Sequence, residues 1–225
     1  MCYSVESSLK TTAISLAAII YLLASNNPHY QWIAVALVGW CFMQFSEFLL
    51  WLNDPRHCTE INTLITYTLI PLTLMMQPLG VLLGSLFVFP WSTLSPFRKN
   101  VIVFYSIAVV IGVLIWHFYK RNRKCTVITE QGHLFWLNGK YPKKDNAFDL
   151  SLYYLWAVII IFPFIFWNKS FALILAFLFI PFLGMLYGMY TDSNGSIWCY
   201  YTSYSSIIAS AFLLLDQLGI YKIVK

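Results

Sequence analysis

The stretch Ile61-Asn-Thr-Leu-Ile-Thr-Tyr-Thr-Leu-Ile70-Pro-Leu-Thr-Leu-Met-Met-Gln-Pro-Leu-Gly80-Val-Leu-Leu-Gly-Ser-Leu-Phe-Val-Phe-Pro90-Trp-Ser-Thr-Leu-Ser-Pro-Phe97 contains no charged side chain. An α-helix rises 1.5 Å per residue, so roughly 20 apolar residues cross the hydrocarbon of a bilayer. A water-facing domain does not leave such a length uncoated. The segments 150–168 and 170–191 are likewise free of charge. Over all 225 residues, 60% are hydrophobic, 10% are charged and the mean hydropathy is +0.69. Soluble domains carry about 25% charge. A soluble enzyme, a nucleic-acid module and a disordered tail are therefore poor fits, and no nucleic-acid partner is expected.

Seven segments are apolar enough to span: about 8–25, 31–52, 61–89, 101–119, 150–167, 170–190 and 196–219. Backbone groups in lipid must pair within their own segment, so each is expected to be a helix. The fold expected is an all-α membrane protein, one polytopic transmembrane domain over residues 1–225, with only loops outside the bilayer. Segment 11–24 also reads as the apolar core of a signal peptide, although Lys10 is its only preceding cation.

Nine of the 14 Lys and Arg fall on the side of the N-terminus and the even connections, namely Lys10, Arg56 and seven within 120–144; five fall opposite. The positive-inside rule then predicts a cytoplasmic N-terminus. The five cysteines, Cys2, Cys41, Cys58, Cys125 and Cys199, show no CxxC spacing. Four map to that cytoplasmic face, where structural disulfides are rare, so buried or free thiols are expected.

The one long connection, 120–149, holds β-branched and aromatic residues with turn signals at Gln131-Gly132 and Asn138-Gly139. It reads as a small β-hairpin between helices 4 and 5. The third span carries Pro71 and Pro78, which predict kinks, with Gln77 beside the second. Gly80 and Gly84 form a small-xxx-small face suited to close packing.

Glu47 is the sharpest functional signal. An ionisable residue inside a span is costly, and its presence points to function. Gln44, Glu47 and Trp51 follow i, i+3, i+7 spacing and share one helical face. Asp216, near the end of the last span, reads as a solvated helix end. The histidines show neither HxxxH nor HExxH spacing. No lysine lies in the core of a span and no arginine ladder exists, which excludes a retinal Schiff base and a voltage sensor. Cys2 acquires a free α-amine beside its thiol if Met1 is removed. Such a pair binds metal or attacks an ester once its thiol is activated.

The opening Met1-Cys-Tyr-Ser4-x-x-Ser-Ser8 resembles the start of an uncharacterised integral-membrane family, found in bacteria and large DNA viruses, that begins M-C-F-S-x-x-A-S. Gln44-x-x-Glu47-x-x-x-Trp51 is similar to that family's Q-x-x-E-G-x-x-W, with Phe48 in place of its glycine. Ser196-Ile-Trp198-Cys199-Tyr200 is similar to its S-x-W-C-F, and His133-Leu-Phe to its loop histidine. The resemblance implies a membrane architecture and a set of residues, and no activity.

On the seven-span topology these motif residues land on one face at similar depth. One polar site is therefore expected near the cytoplasmic interface, built by the N-terminus, spans two and seven, and the hairpin. Its expected use is to bind or conduct a small solute or ion, as a channel or transporter, with Gln44, Glu47, Trp51, Gln77, Ser196 and Trp198 lining it. A chain of this length suits a small channel or a homo-oligomer. The alternative is a membrane-embedded enzyme of metal- or thiol-dependent, lipid-directed chemistry, with Cys2 or Cys199 as nucleophile or ligand, His133 as base and Glu47 as orienting acid. A third reading is a structural membrane protein. The sequence names no cofactor and no metal.

Overall fold

The computed structural model describes residues 4–119, 125–136, 155, 158–160, 179–180, 182–184, 186–188 and 194–222. The chain is mostly helical: α1 Val5–Leu23, α2 Pro28–Leu52, α3 Glu60–Leu64, a π-helical turn Ile65–Leu69, α4 Ile70–Val88, α5 Pro96–Tyr119 and α6 Asn194–Gln217. Val5–Leu23, Pro28–Leu52 and the continuous run Glu60–Val88 are each long and apolar enough to cross a membrane. The expected spans 150–167 and 170–190 lie mostly outside the described residues.

The helix starts follow from local chemistry. Ser4 Oγ accepts the Ser7 amide at 3.1 Å, and Asn27 Oδ1 accepts the His29 amide at 3.0 Å with Pro28 in the first turn. Thr59 Oγ1 accepts the Asn62 amide at 3.1 Å. Each satisfies an amide that has no partner inside its helix.

Helix α1 shows which solvent the fold is built for. It buries Ser8, Thr12 and Ser15 and exposes Leu9, Leu16 and Ile20. In water that arrangement would be reversed. In lipid the apolar face belongs outside, and small polar residues belong where helices approach. Phe87, Phe104 and Val110 are exposed in the same way on α4 and α5.

Helices α2 and α4 form an antiparallel pair stitched at both ends. Trp32 Nε1 donates to Ser85 Oγ at 3.0 Å, and the Ser46 and Thr73 hydroxyls lie 2.6 Å apart. Between them Gly80 meets the Ala36 and Val35 carbonyls, and Gly84 meets Trp32, as the small-residue face predicts. The sequence reading missed the third partner, Gly39, which packs on the backbone of Met76 and Gln77. The irregularity expected at Pro71 takes the form of the π turn just before it, where the proline ring cannot fit a regular ladder.

Two strands of two residues each follow α5. Strand β1 (Val127–Ile128) pairs antiparallel with β2 (Leu134–Phe135), in register Val127 to Phe135 and Ile128 to Leu134. Gly132 takes φ +80° in its turn, a conformation that side chains other than glycine rarely adopt. The second turn signal, Asn138-Gly139, lies outside the described residues. One expectation is overturned: Cys58 and Cys125 are a disulfide, with Cα atoms 5.7 Å apart, and not free thiols. The two residues are 67 apart in sequence, so only the folded topology brings them together. Cys41 and Cys199 are buried.

Candidate functional site

A polar seam runs between α1, α2 and α6. Ser15 Oγ donates to Gln44 Oε1 at 3.0 Å and lies 3.4 Å from Ser206 Oγ, and Gln44 Nε2 donates to the Cys199 carbonyl at 3.4 Å. Gln44 thus ties three helices together. Trp40 and Trp198 meet edge to face, with centroids 6.3 Å apart. At the far end Tyr21 donates to Gln217 Oε1 at 2.6 Å, so α1 and α6 run parallel.

Glu47 is completely buried. At 100° per residue it falls about 40° around α2 from Met43 and about 20° from Trp40. Met43 Sδ accepts from Gln77 Nε2 on α4 at 3.4 Å, and Trp40 meets α6. The carboxylate therefore projects toward the gap between α4 and α6. Its neighbour Ser46 touches Thr73, which sets its depth near the start of α4, beside Pro71 and the π turn. Ser196 and Glu47 each lie one turn closer to the N-terminal face than the Gln44–Cys199 contact, because α2 and α6 are antiparallel.

The expected residues divide as follows. Gln44, Glu47, Ser196, Trp198 and Cys199 are buried in or beside the seam. Gln77 is buried too, but it reaches α2 through Met43 rather than joining the Gln44 cluster. Trp51 is only partly buried. Cys2 lies outside the described residues. Asp216 is partly exposed near the end of α6, as a solvated helix end should be. The sequence reading missed Ser8, Thr12, Ser15, Ser205 and Ser206. Their signal was present in Ser8, Thr12 and Ser15, spaced i, i+4, i+7 in an apolar helix.

Several buried polar atoms add to the character of the seam. The hydroxyls of Ser8, Ser196 and Ser205, Gln77 Oε1 and Trp136 Nε1 find no hydrogen-bond partner among the described residues. A buried polar group without a partner costs about 1–3 kcal/mol, and native sites usually fill such positions with water or ligand.

The hairpin closes the seam at the N-terminal face, where β2 packs against α6. His133 and Leu134 are each 1% exposed. Burial first, and the positive charge of the amino terminus second, push the His133 ring down to a pKa of about 4, so it is neutral at pH 7. The hairpin is fastened to α3 by Asn62. Asn62 Nδ2 donates to the Thr126 carbonyl at 2.8 Å, and Asn62 Oδ1 accepts the Thr126 amide at 3.0 Å. Thr66 and Thr126 hydroxyls lie 2.7 Å apart, and the disulfide joins the adjacent residue.

Among the described residues no three His, Cys, Asp or Glu side chains are grouped to hold a metal ion. The chain matches no protein-family model, no curated protein and no solved structure.

Proposed function

We propose that this protein is a seven-helix integral membrane protein whose polar seam, near the N-terminal face, binds or passes a small polar solute or ion. The observation that carries this reading is the inverted interior: a fully buried carboxylate, Glu47, and buried serine hydroxyls inside helices that turn leucines outward. Such groups are expensive in lipid and serve as gates, relays or ligands where they occur. The bilayer and the solute are its proposed partners, and a homo-oligomer fits its length. The same residues carry the proposed kinship with the uncharacterised membrane family noted above, whose motifs contribute Gln44, Glu47, His133 and Cys199. A membrane enzyme is the second reading, favoured by His133 being held neutral beside the seam.

The disulfide weighs against the orientation that the charge count predicts. Cys58 follows α2 and Cys125 follows α5, and in the seven-span reading both lie on the N-terminal face. Structural disulfides persist in oxidising compartments. We place the N-terminal face on the non-cytoplasmic side. An N-terminal epitope should then be reached by antibody in intact cells; an epitope reached only after permeabilisation overturns this placement.

The test of function is flux. Protein reconstituted into liposomes should raise the permeability to H⁺, Na⁺, K⁺ or a small neutral solute above that of empty vesicles. Glu47→Gln should cut that flux at least tenfold. Wild-type vesicles as tight as empty ones to all of these would sink the pathway reading.

A further inference from the structure

We propose that the connection between α4 and α5, Phe89–Lys99, is a docking surface for the headgroup of an anionic phospholipid, with Trp91 and Lys99 at its centre. The inference rests on the chain lying in a bilayer and does not depend on what the seam binds or passes.

The sequence isolates the charge. Arg98 and Lys99 are the only Lys, Arg, Asp or Glu between Ile61 and Tyr119. No carboxylate is near in sequence to neutralise them, and Lys99 makes no ion pair among the described residues. The depth is also set. The Glu60–Val88 run, long and apolar enough to cross a membrane, ends where this connection begins. The turn therefore emerges at headgroup level, where tryptophan side chains are favoured.

The turn is stiffly built. Pro90 and Pro96 stand at its two ends, and each fixes its own φ. The 3₁₀ turn Trp91–Thr93 between them is closed by Thr93, whose amide and hydroxyl both donate to the Pro90 carbonyl, at 2.9 and 2.8 Å. Leu94 is buried and plugs the turn into the bundle, and Phe89 meets the His29 ring at the start of α2 with centroids 5.7 Å apart. Trp91 and Phe97 are left facing outward, 45% and 64% exposed. Lys99 Nζ lies 5.7 Å from the centre of the Trp91 ring, a cation–π contact that holds the ammonium at the edge of the apolar patch. The amides of Arg98 and Lys99 are already bonded to Ser95, at 3.4 Å through its hydroxyl and 3.1 Å through its carbonyl. Recognition therefore falls to the side chains.

An anionic phospholipid meets both halves of this surface. Its phosphate pairs with the Lys99 ammonium, and Arg98 adds to the same positive field. Its glycerol and upper acyl chain lie along Trp91 and Phe97. A soluble anion would leave the two exposed rings unused, and a zwitterionic lipid would bring a third cation to a place that holds two. The orientation proposed above puts the turn at the cytoplasmic leaflet, which is the anionic one.

The experiment uses the full-length protein reconstituted into vesicles of phosphatidylglycerol and phosphatidylcholine in equal amounts. The protein is then extracted in detergent, and the lipids that stay with it are quantified by mass spectrometry. One cation near the surface favours anionic lipid about fivefold, so phosphatidylglycerol should be retained over phosphatidylcholine by at least about that factor. Lys99→Gln should lower the ratio about fivefold. Trp91→Leu, which keeps the charge and removes the ring beneath it, should lower it about twofold. Lys10→Gln changes net charge by the same amount on the opposite face and should leave the ratio as it is. Extraction of the wild type in about 0.5 M salt should lower the ratio without any variant, because exposed charges are screened. Three results overturn the proposal: equal retention of the two lipids by the wild type, as for a surface that takes soluble anions or nothing; a ratio that Lys99→Gln or salt leaves untouched; or a ratio that Lys10→Gln lowers as far as Lys99→Gln, which would mean that net charge alone sorts the lipids.

Discussion

Gly39→Ala tests the packing that positions Glu47. A methyl at Gly39 would stand 2.6 Å from the Met76 carbonyl carbon and 2.9 Å from Gln77 Cα, and closer still to the Met76 oxygen. Ordinary contact begins near 3.4 Å, so the two backbones must part by more than about 0.8 Å at that point, because the oxygen is nearer than the carbon. They are not free to do so. The Trp32–Ser85 and Ser46–Thr73 hydrogen bonds, at 3.0 and 2.6 Å, pin α2 to α4 on either side. Overpacking of this kind costs about 1–3 kcal/mol. Stretching one of the flanking bonds adds about 1 kcal/mol, and alanine's better helix propensity returns about 1 kcal/mol. The net loss is about 1–3 kcal/mol, or a fall of roughly 2–12 °C in Tm for a chain of this size. Gly80→Ala meets two carbonyl oxygens at 3.1 Å, and Gly84→Ala meets mostly the Trp32 side chain at 3.0 Å. Shifts of a few tenths of an ångström accommodate both, so they should melt within about 4 °C of wild type. The assay is thermal unfolding in detergent, followed by tryptophan fluorescence. A Gly39→Ala protein that melts with wild type, or a Gly80→Ala protein that melts lower than Gly39→Ala, refutes the reasoning.

Three further outcomes follow from the same contacts. The His133 ring holds fewer protons folded than unfolded between its ordinary pKa near 6.5 and about 4. Its contribution is therefore fully present above pH 6.5 and is lost as pH falls toward 4, with a slope of at most about 1.4 kcal/mol per pH unit; the slope should vanish in His133→Gln, read as the pH dependence of Tm. Gln44→Leu removes the bonds to Ser15 and the Cys199 carbonyl and should cost about 1–3 kcal/mol in denaturant unfolding; a variant as stable as wild type would mean that Gln44 does not tie the helices together. Asn62→Ala takes both bonds from Thr126 and should speed hydrogen exchange across residues 125–136 about tenfold or more, with α2 exchange unchanged.

What was legible in the sequence follows the strength of each physical signal. Uninterrupted apolar length located α1, α2 and the Glu60–Val88 run to within a few residues, because the lipid requirement acts on a whole segment. Glu47 was legible as a buried polar group because a carboxylate stands out inside an apolar helix, whether its role is structural or functional. Gln131-Gly132 was legible because a tight turn needs the φ that glycine supplies. The polar stripe of α1 was legible only in its i, i+4, i+7 spacing, because serine is tolerated on any helix face and burial marks which serines matter. Gly39 was not, because a close approach is a property of two helices, and its partner lies 37 residues later in Met76. The disulfide was obscured by an orientation inferred from charge, in which seven of the nine cations on the N-terminal side belong to a single connection.

The contacts bear on topology more firmly than that charge count. A disulfide needs both cysteines on one side, so the chain must cross the bilayer an even number of times between Cys58 and Cys125. The Glu60–Val88 run is long and apolar enough to cross once. If it crosses, α5 must cross back, and the 24 residues of Pro96–Tyr119 are enough to do so. The same parity applies further on. Tyr21 bonds Gln217 at the far ends of α1 and α6, and Ser15 meets Ser206 midway, so α6 starts on the face where α1 starts. The hairpin, held to Cys58 and Asn62, is on that face too. An even number of crossings must therefore separate Trp136 from Asn194. The two uncharged segments 150–168 and 170–191, mostly outside the described residues, would meet this parity as a pair. The disulfide and the α1–α6 hydrogen bonds thus fix the parity of the crossings, which three, five or seven spans all satisfy, and apolar length has to choose the number.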